Sequence, residues 1–138
     1  MSTVRAGWAP WLMERCGLHS GDSLCVVEEV DSAGRTVGAV GFDNWTPNAC
    51  RMHVALERPR ACRKLVRAAF EYPFVQCDRE VVLAEIREGN DRSLRLAKHL
   101  GFQEVLRVAD GWERNEALVF FEMRRADCRW LQRQRKAA

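Results

Sequence analysis

Four cations, Arg58, Arg60, Arg63 and Lys64, cluster where the sequence predicts a helix to begin. The first turn of a helix carries unpaired N–H groups and the positive end of the helix dipole, which suits a pyrophosphate. Cations at that end oppose the dipole, each at a cost of roughly 0.3–1 kcal/mol when exposed. Only Glu57 offsets them nearby. Helix stability does not select such a cluster, whereas an anionic ligand does; the alternative is a solvated charged loop. For proton transfer, His53 is the only histidine predicted on a central strand, and an unperturbed pKa of about 6.5 suits a general base. A strand histidine is more often a satisfied core residue, and Glu57 and Glu85 are the other candidate bases. Glu85 lies in the middle of an apolar strand, where burial would raise its pKa. Asn90, three residues before Ser93, reads as a helix N-cap worth about 1 kcal/mol.

These residues need elements to hold them. A short helix is predicted from about Pro10 to Cys16, with Gly17 as its left-handed stop. Leu24–Val30 and Arg35–Phe42 read as two strands around the turn residues Asp31-Ser32-Ala33-Gly34. Gly38 and Gly41 within the second strand indicate a bulge or a close approach. Cys50–Leu56 alternates, with Met52, Val54 and Leu56 on one face and His53 and Ala55 on the other. Apolar residues at 62, 65, 66, 69, 70 and 74 form a helical stripe over about Ala61–Phe74, with Pro73 marking a kink or stop. Glu80–Ile86 reads as a central strand buried on both faces. Asn90 then opens a helix that Gly101 closes. Gln103–Val108 and Ala117–Met123 are two last strands, joined across Asp110-Gly111. The order is helix, three antiparallel strands, helix, strand, helix, two strands. It implies an α+β fold whose mostly antiparallel sheet contains one parallel pairing.

At 138 residues the chain fits one domain, and its 47% hydrophobic and 30% charged content are those of a globular protein. The net charge of +3 is too small to imply nucleic acid or a membrane as partner, and much of it sits in the basic tail from Arg124 to Lys136. No apolar run approaches the ~20 residues that span a bilayer. Met1–Pro10 lacks the apolar core of a signal peptide, so a cytoplasmic location is expected. The six cysteines show neither a disulfide framework nor zinc-ligand spacing, and read as free thiols. Trp8 and Trp11 flank the first helix, as core or dimer packing or as the wall of an acceptor site.

The run Asn90-Asp91-Arg92-Ser93-Leu94-Arg95-Leu96-Ala97-Lys98-His99-Leu100-Gly101-Phe102 resembles a signature of the GNAT N-acetyltransferase superfamily. The resemblance covers roughly residues 23–124 and includes the element order above. It is nearest the branches that acetylate protein N-termini or small amines, and compact phage and prophage enzymes with a similar His53-Val54-Ala55 run.

The resemblance implies acetyl-CoA as co-substrate and direct transfer of its acetyl group to a primary amine, on a small molecule or a peptide, with a homodimer as one possible state. It implies a pyrophosphate loop over Arg58, Arg60, Ala61, Cys62 and Arg63. It also implies pantetheine contacts from Asn90 and Ser93, and a backbone N–H around Val54 to Leu56 that polarises the thioester carbonyl. The chain departs from the family in two places. Arg60 stands at the loop's first glycine, and Ala97 stands where a tyrosine often protonates the leaving thiolate. Those departures leave a second reading: a non-catalytic domain that binds CoA or a protein partner.

Overall fold

The computed structural model describes residues 2–6, 9–16, 25–59 and 61–131. Trp8, Arg60, the predicted stop at Gly17 and the tail beyond 131 lie outside the described residues. The strands are β1 (Thr3–Ala6), β2 (Cys25–Val30), β3 (Thr36–Asp43), β4 (Ala49–Leu56), β5 (Val81–Arg87), β6 (Gln103–Glu113) and β7 (Glu116–Arg124). The helices are α1 (Ala9–Cys16), α2 (Arg63–Glu71) and α3 (Asp91–Leu100). The strands form one sheet in the order β1-β2-β3-β4-β5-β7-β6, with only β4 and β5 parallel. This is the expected α+β mixed sheet, with one strand more than the sequence indicated. β1 is four residues long and mostly exposed, so it has no periodicity to betray it.

The first hairpin forms as its turn residues dictate. Asp31 Oδ1 accepts the N–H groups of Ala33 and Arg35, each at 2.9 Å, and Gly34 takes φ +82°. The ladder slips between Glu29 and Val30, where Glu29 faces Gly38 and Val30 faces Thr36, so Val37 is the bulged residue. Gly38 leaves room for Leu56 and Leu65; a Cβ there would lie 3.0–3.1 Å from their side chains. On the other half of the sheet, β6 and β7 turn at Arg114-Asn115 rather than at Asp110-Gly111. Those two residues instead form a wide bulge, across which the register jumps from Val108 to Glu113. Asp110 Oδ1 accepts the Asn115 N–H at 2.7 Å and closes it.

One core lies between the sheet and the pair α2 and α3: Val40, Phe42, Met52, Leu65, Phe70, Phe74, Val82, Phe121 and Met123 are all buried there. α1 packs on the opposite face through Leu12 against Val26 and Ala39. Pro73 marks the stop of the α-helix, as expected: α2 ends at Glu71. With no N–H to give to an α ladder, it sits in a π-helical turn over Tyr72–Gln76, closed by Cys77 N–H to Tyr72 C=O at 3.0 Å. β5 is not buried on both faces. Val82 is covered, but Leu83 and Glu85 point to the side that α1 leaves open. Among the described residues no helix is long and apolar enough to cross a membrane.

The cap of α3 is as its sequence requires. Asn90 Oδ1 accepts the Ser93 N–H at 3.1 Å, and Gly101 ends the helix at φ +103° with Phe102 N–H on Ala97 C=O. Replacing Gly101 with Ala forces a left-handed conformation and sets a Cβ 3.3 Å from Met123 Cε. We expect Gly101→Ala to lower stability by about 1–2 kcal/mol, read from urea unfolding midpoints.

Candidate functional site

β4 and β5 pair over three residues only, Ala49↔Val81 to Arg51↔Leu83. Beyond Arg51 each strand keeps its antiparallel partner, β3 for β4 and β7 for β5, and the two part company. Glu57 N–H bonds Val37 C=O at 2.9 Å, so the β3–β4 ladder uses the odd-numbered residues of β4. The backbone N–H groups of Val54 and Leu56 therefore turn toward the β5 side, where the ladder has ended. Crevices beyond the C-terminal ends of parallel strands are where open sheets take ligands.

Such a crevice is present. A cavity of about 920 Å³ opens between α2 and α3 at that end of the sheet, lined by Leu56, Ala61, Arg63, Arg92, Arg95 and Trp130 among others. Of the predicted loop residues, Leu56, Ala61 and Arg63 face this cavity. Arg58 lies at the loop, 3.7 Å from the Glu29 carboxylate. Cys62 is the N-cap of α2, its Sγ accepting the Leu65 N–H at 3.4 Å. Ser93 and Asn90 meet at the start of α3 through the cap bond. Arg92 and Arg95 bring two further guanidinium groups that the cation cluster before α2 did not reveal. Both lie in the Asn90-to-Phe102 run, where helical spacing would have placed them beside Leu96 on one face.

On the other face of the sheet, His53 Nε2 lies 2.9 Å from Asp43 Oδ1. Arg51 grips the same carboxylate with two bonds of 2.9 Å and reaches Glu85 Oε2 at 3.4 Å. His53 and Glu85, two of the three candidate bases, are thus joined through Arg51 and Asp43. His53 and Asp43 are 15% and 18% exposed. Burial pushes the Asp43 pKa up, but the hydrogen bonds from Arg51 and His53 outweigh it and hold the carboxyl below its usual range. The same pairing raises the Arg51 pKa. Glu85 is 32% exposed and faces Arg51, so the apolar burial expected of it is not met. Glu57 is engaged by Arg15 of α1 at 2.9 Å. Sequence reasoning missed Asp43, although the pairing Asp43↔Arg51 follows from folding the two strands about the 44–48 loop.

Ala97 is buried, and no tyrosine takes its place nearby. Tyr72, the only one in the chain, packs against Phe42 and Trp45. Hydrogen bonding to Cys25, then burial and a bond to Cys77, push its pKa up, so it stays a protonated phenol. Trp11 stacks under Arg15, 3.8 Å from guanidinium carbon to ring centroid.

Asp43 carries the pH dependence of this network. A depressed carboxylate stabilises the fold above its unfolded pKa, and that contribution is lost as pH falls through the lowered folded pKa. Asp43→Asn should cost about 1–3 kcal/mol at pH 7. The gap from wild type should close as pH drops below the ordinary carboxylate range, measured by denaturant unfolding at pH 7, 5 and 3.

By sequence, no protein-family model and no curated protein matches the chain. By structure, it superposes on mutant forms of the spermidine/spermine N-acetyltransferase SpeG from Vibrio cholerae. The TM-score is 0.72 at 12% identity, over 91% of this chain and 96% of that one. A dodecameric spermidine N-acetyltransferase from the same organism matches with TM-score 0.72 and 12% identity, over 91% and 94% of the two chains. The manganese complex of SpeG gives 0.70 at 12% identity, over 89% and 92%. The architecture of this chain, with its single parallel pairing and the crevice beside it, is the GNAT fold.

Proposed function

We propose that the protein is an acetyl-CoA-dependent N-acetyltransferase acting on a primary amine of a small molecule or peptide. The observation that carries the reading is the parting of β4 and β5 beside a cavity with Arg63, Arg92 and Arg95 on its wall. The residues present fit the co-substrate. The α2 amides and the guanidinium groups of Arg63 and Arg95 supply the donors that phosphates need, and the volume is ample. The acetyl-CoA thioester supplies the acyl group at a carbon open to attack by an amine.

The chain's own residues divide the remaining work between the two faces of the sheet. On the α2 side, Arg58, Ala61, Cys62 and Arg63 hold phosphate, and Asn90 and Ser93 flank the arm. In the split, the N–H groups of Val54 and Leu56 stabilise developing negative charge on the carbonyl oxygen. On the α1 side, His53 accepts the proton of the amine, oriented by Asp43. If Asp43 accepts the proton on Nε2, the Nδ1 atom is left as the basic nitrogen. Glu85 lies on the same face and holds the Arg51 end of the network. No tyrosine donates to the leaving thiolate, so that proton comes from water or Ser93. The SpeG neighbours act on polyamines; for this chain the acceptor class stays at amines in general.

A second reading, a GNAT-like domain that binds CoA without turnover, is favoured by Ala97 and by Arg60 at the loop's first glycine position. The two are separated by thiol release. A further part of the proposal is self-association in the cytoplasm. β6 is an eleven-residue edge strand exposed along its whole length, with Val105, Leu106, Val108 and Trp112 (56% exposed) uncovered. An open edge of this length is a template for pairing with another chain.

Calorimetry should show CoA binding at low salt, weakened by about 1–3 kcal/mol in Arg63→Ala combined with Arg95→Ala. Absence of binding at millimolar CoA would end both the enzyme and the binding-domain readings. Since positioning supplies most of the acceleration in such a site, His53→Gln should lower kcat by about 10²-fold or less. A loss above about 10⁴-fold would make His53 indispensable. Light scattering should find an oligomer in solution that Leu106→Lys dissociates; a wild-type monomer would remove the edge-pairing proposal.

A further inference from the structure

The loop between β4 and α2 has no glycine. Two side chains from distant elements tie its backbone instead. Arg92, at the start of α3, donates from Nη2 to the carbonyl oxygens of Leu56 at 3.2 Å and Arg58 at 2.8 Å. Glu29 of β2 reaches the far end of the loop from within the core. Its Oε1 accepts the Cys62 N–H at 3.5 Å, and its Oε2 faces Arg58 Nη1 at 3.7 Å. The Glu29 residue is 3% exposed, and the Ser2 side chain also hydrogen-bonds its carboxylate.

Packing does not ask for a charge at this position. Its neighbour on the same face of β2 is Val27, and taking a carboxylate out of water is unfavourable unless partners compensate it. The compensation comes from Cys62 and Arg58 of the loop and from the Ser2 side chain. Nor is Glu29 suited to touch a phosphate, which it would repel. Its place under the backbone suits it to hold the loop, and Arg58 with it, in one arrangement.

We propose that Glu29 and Arg92 are positioning residues for the co-substrate, fixing the loop backbone at Leu56, Arg58 and Cys62 so that the α2 amides and Arg58 meet a pyrophosphate already in place. The inference rests on the reading that this chain binds acetyl-CoA. Side chains from β2 and α3 here do the ordering that a glycine-containing loop achieves by adopting a tight backbone path. A loop ordered before binding loses less entropy on binding.

The test is ligand titration of wild type, Glu29→Gln and Arg92→Lys, followed by amide NMR, with acetyl-CoA and with S-acetylpantetheine, which lacks both phosphates of the pyrophosphate. Both carbonyls are held by the single Nη2 atom; lysine at 92 keeps the charge on the cavity wall, but its ammonium ends one bond short of the Nη2 position. Both variants should bind acetyl-CoA about 10–100-fold more weakly, as outer-shell partners typically do, and bind the truncated thioester as wild type does. Unchanged acetyl-CoA affinity in both, or tighter binding by Glu29→Gln, overturns the inference. So does an equal loss of both ligands together with a lowered unfolding temperature, which marks a merely structural role. If Glu29→Gln does not fold, Arg92→Lys decides alone. Failure of the wild type to bind acetyl-CoA overturns the functional reading and takes this inference with it.

Discussion

The three-residue pairing of β4 with β5 is the constraint on which the rest of the molecule depends. Parallel neighbours need a long crossover, and α2 with its π-helical turn supplies it. Each strand has a longer antiparallel partner: β4 with β3 over Arg51–Leu56, and β5 with β7 over all seven residues. Those ladders follow their own twist and draw the parallel pair apart after Arg51. The gap leaves the Val54 and Leu56 N–H groups facing it, and Leu56, at the end of β4, also lines the cavity between α2 and α3.

Charge is distributed over the two faces of the sheet by the same alternation. Glu28 and Glu29 are consecutive, so their side chains leave β2 on opposite sides. Glu28, on the α1 side, is met by Arg5 at 2.9 Å and by the Thr36 hydroxyl at 3.3 Å. Glu29, on the α2 side, is met by Cys62 and Arg58. Asp43 is met by Arg51 and His53. Removing either member of such a pair leaves an uncompensated partner, which costs more than the pair contributes. These acids consequently fix the relation of β1, β3, β4 and the β4–α2 loop to one another. Cys50, by contrast, has its pKa pushed up to about 12 by burial and behaves as a small core residue.

Local signals gave the fold most directly. The Asp31–Gly34 turn, the alternation of Cys50–Leu56, the stripe on α2, and the Asn90 and Gly101 caps all specify their elements through short-range hydrogen bonds and burial periodicity. Those forces act over a few residues, so they are written in adjacent letters. The same holds for the phosphate-side candidates Ala61, Cys62, Arg63, Asn90 and Ser93, which sit at helix starts. Tertiary context decided what local pattern could not. The apolar run of β5 looked doubly buried, but α1 covers only the β2–β4 side of the sheet and leaves Leu83 and Glu85 in the open. The Asp110-Gly111 turn signal became a bulge because Arg114-Asn115 closes the hairpin. Pro73 ends α2, and the chain goes on in a π-helical turn. Asp43 as the partner of His53, Arg92 as a clamp on two carbonyls, and Glu29 beneath the loop each depend on contacts between residues 10 to 36 positions apart. Such contacts exist only once the strands have chosen their register, and register is set by the packing of the whole sheet.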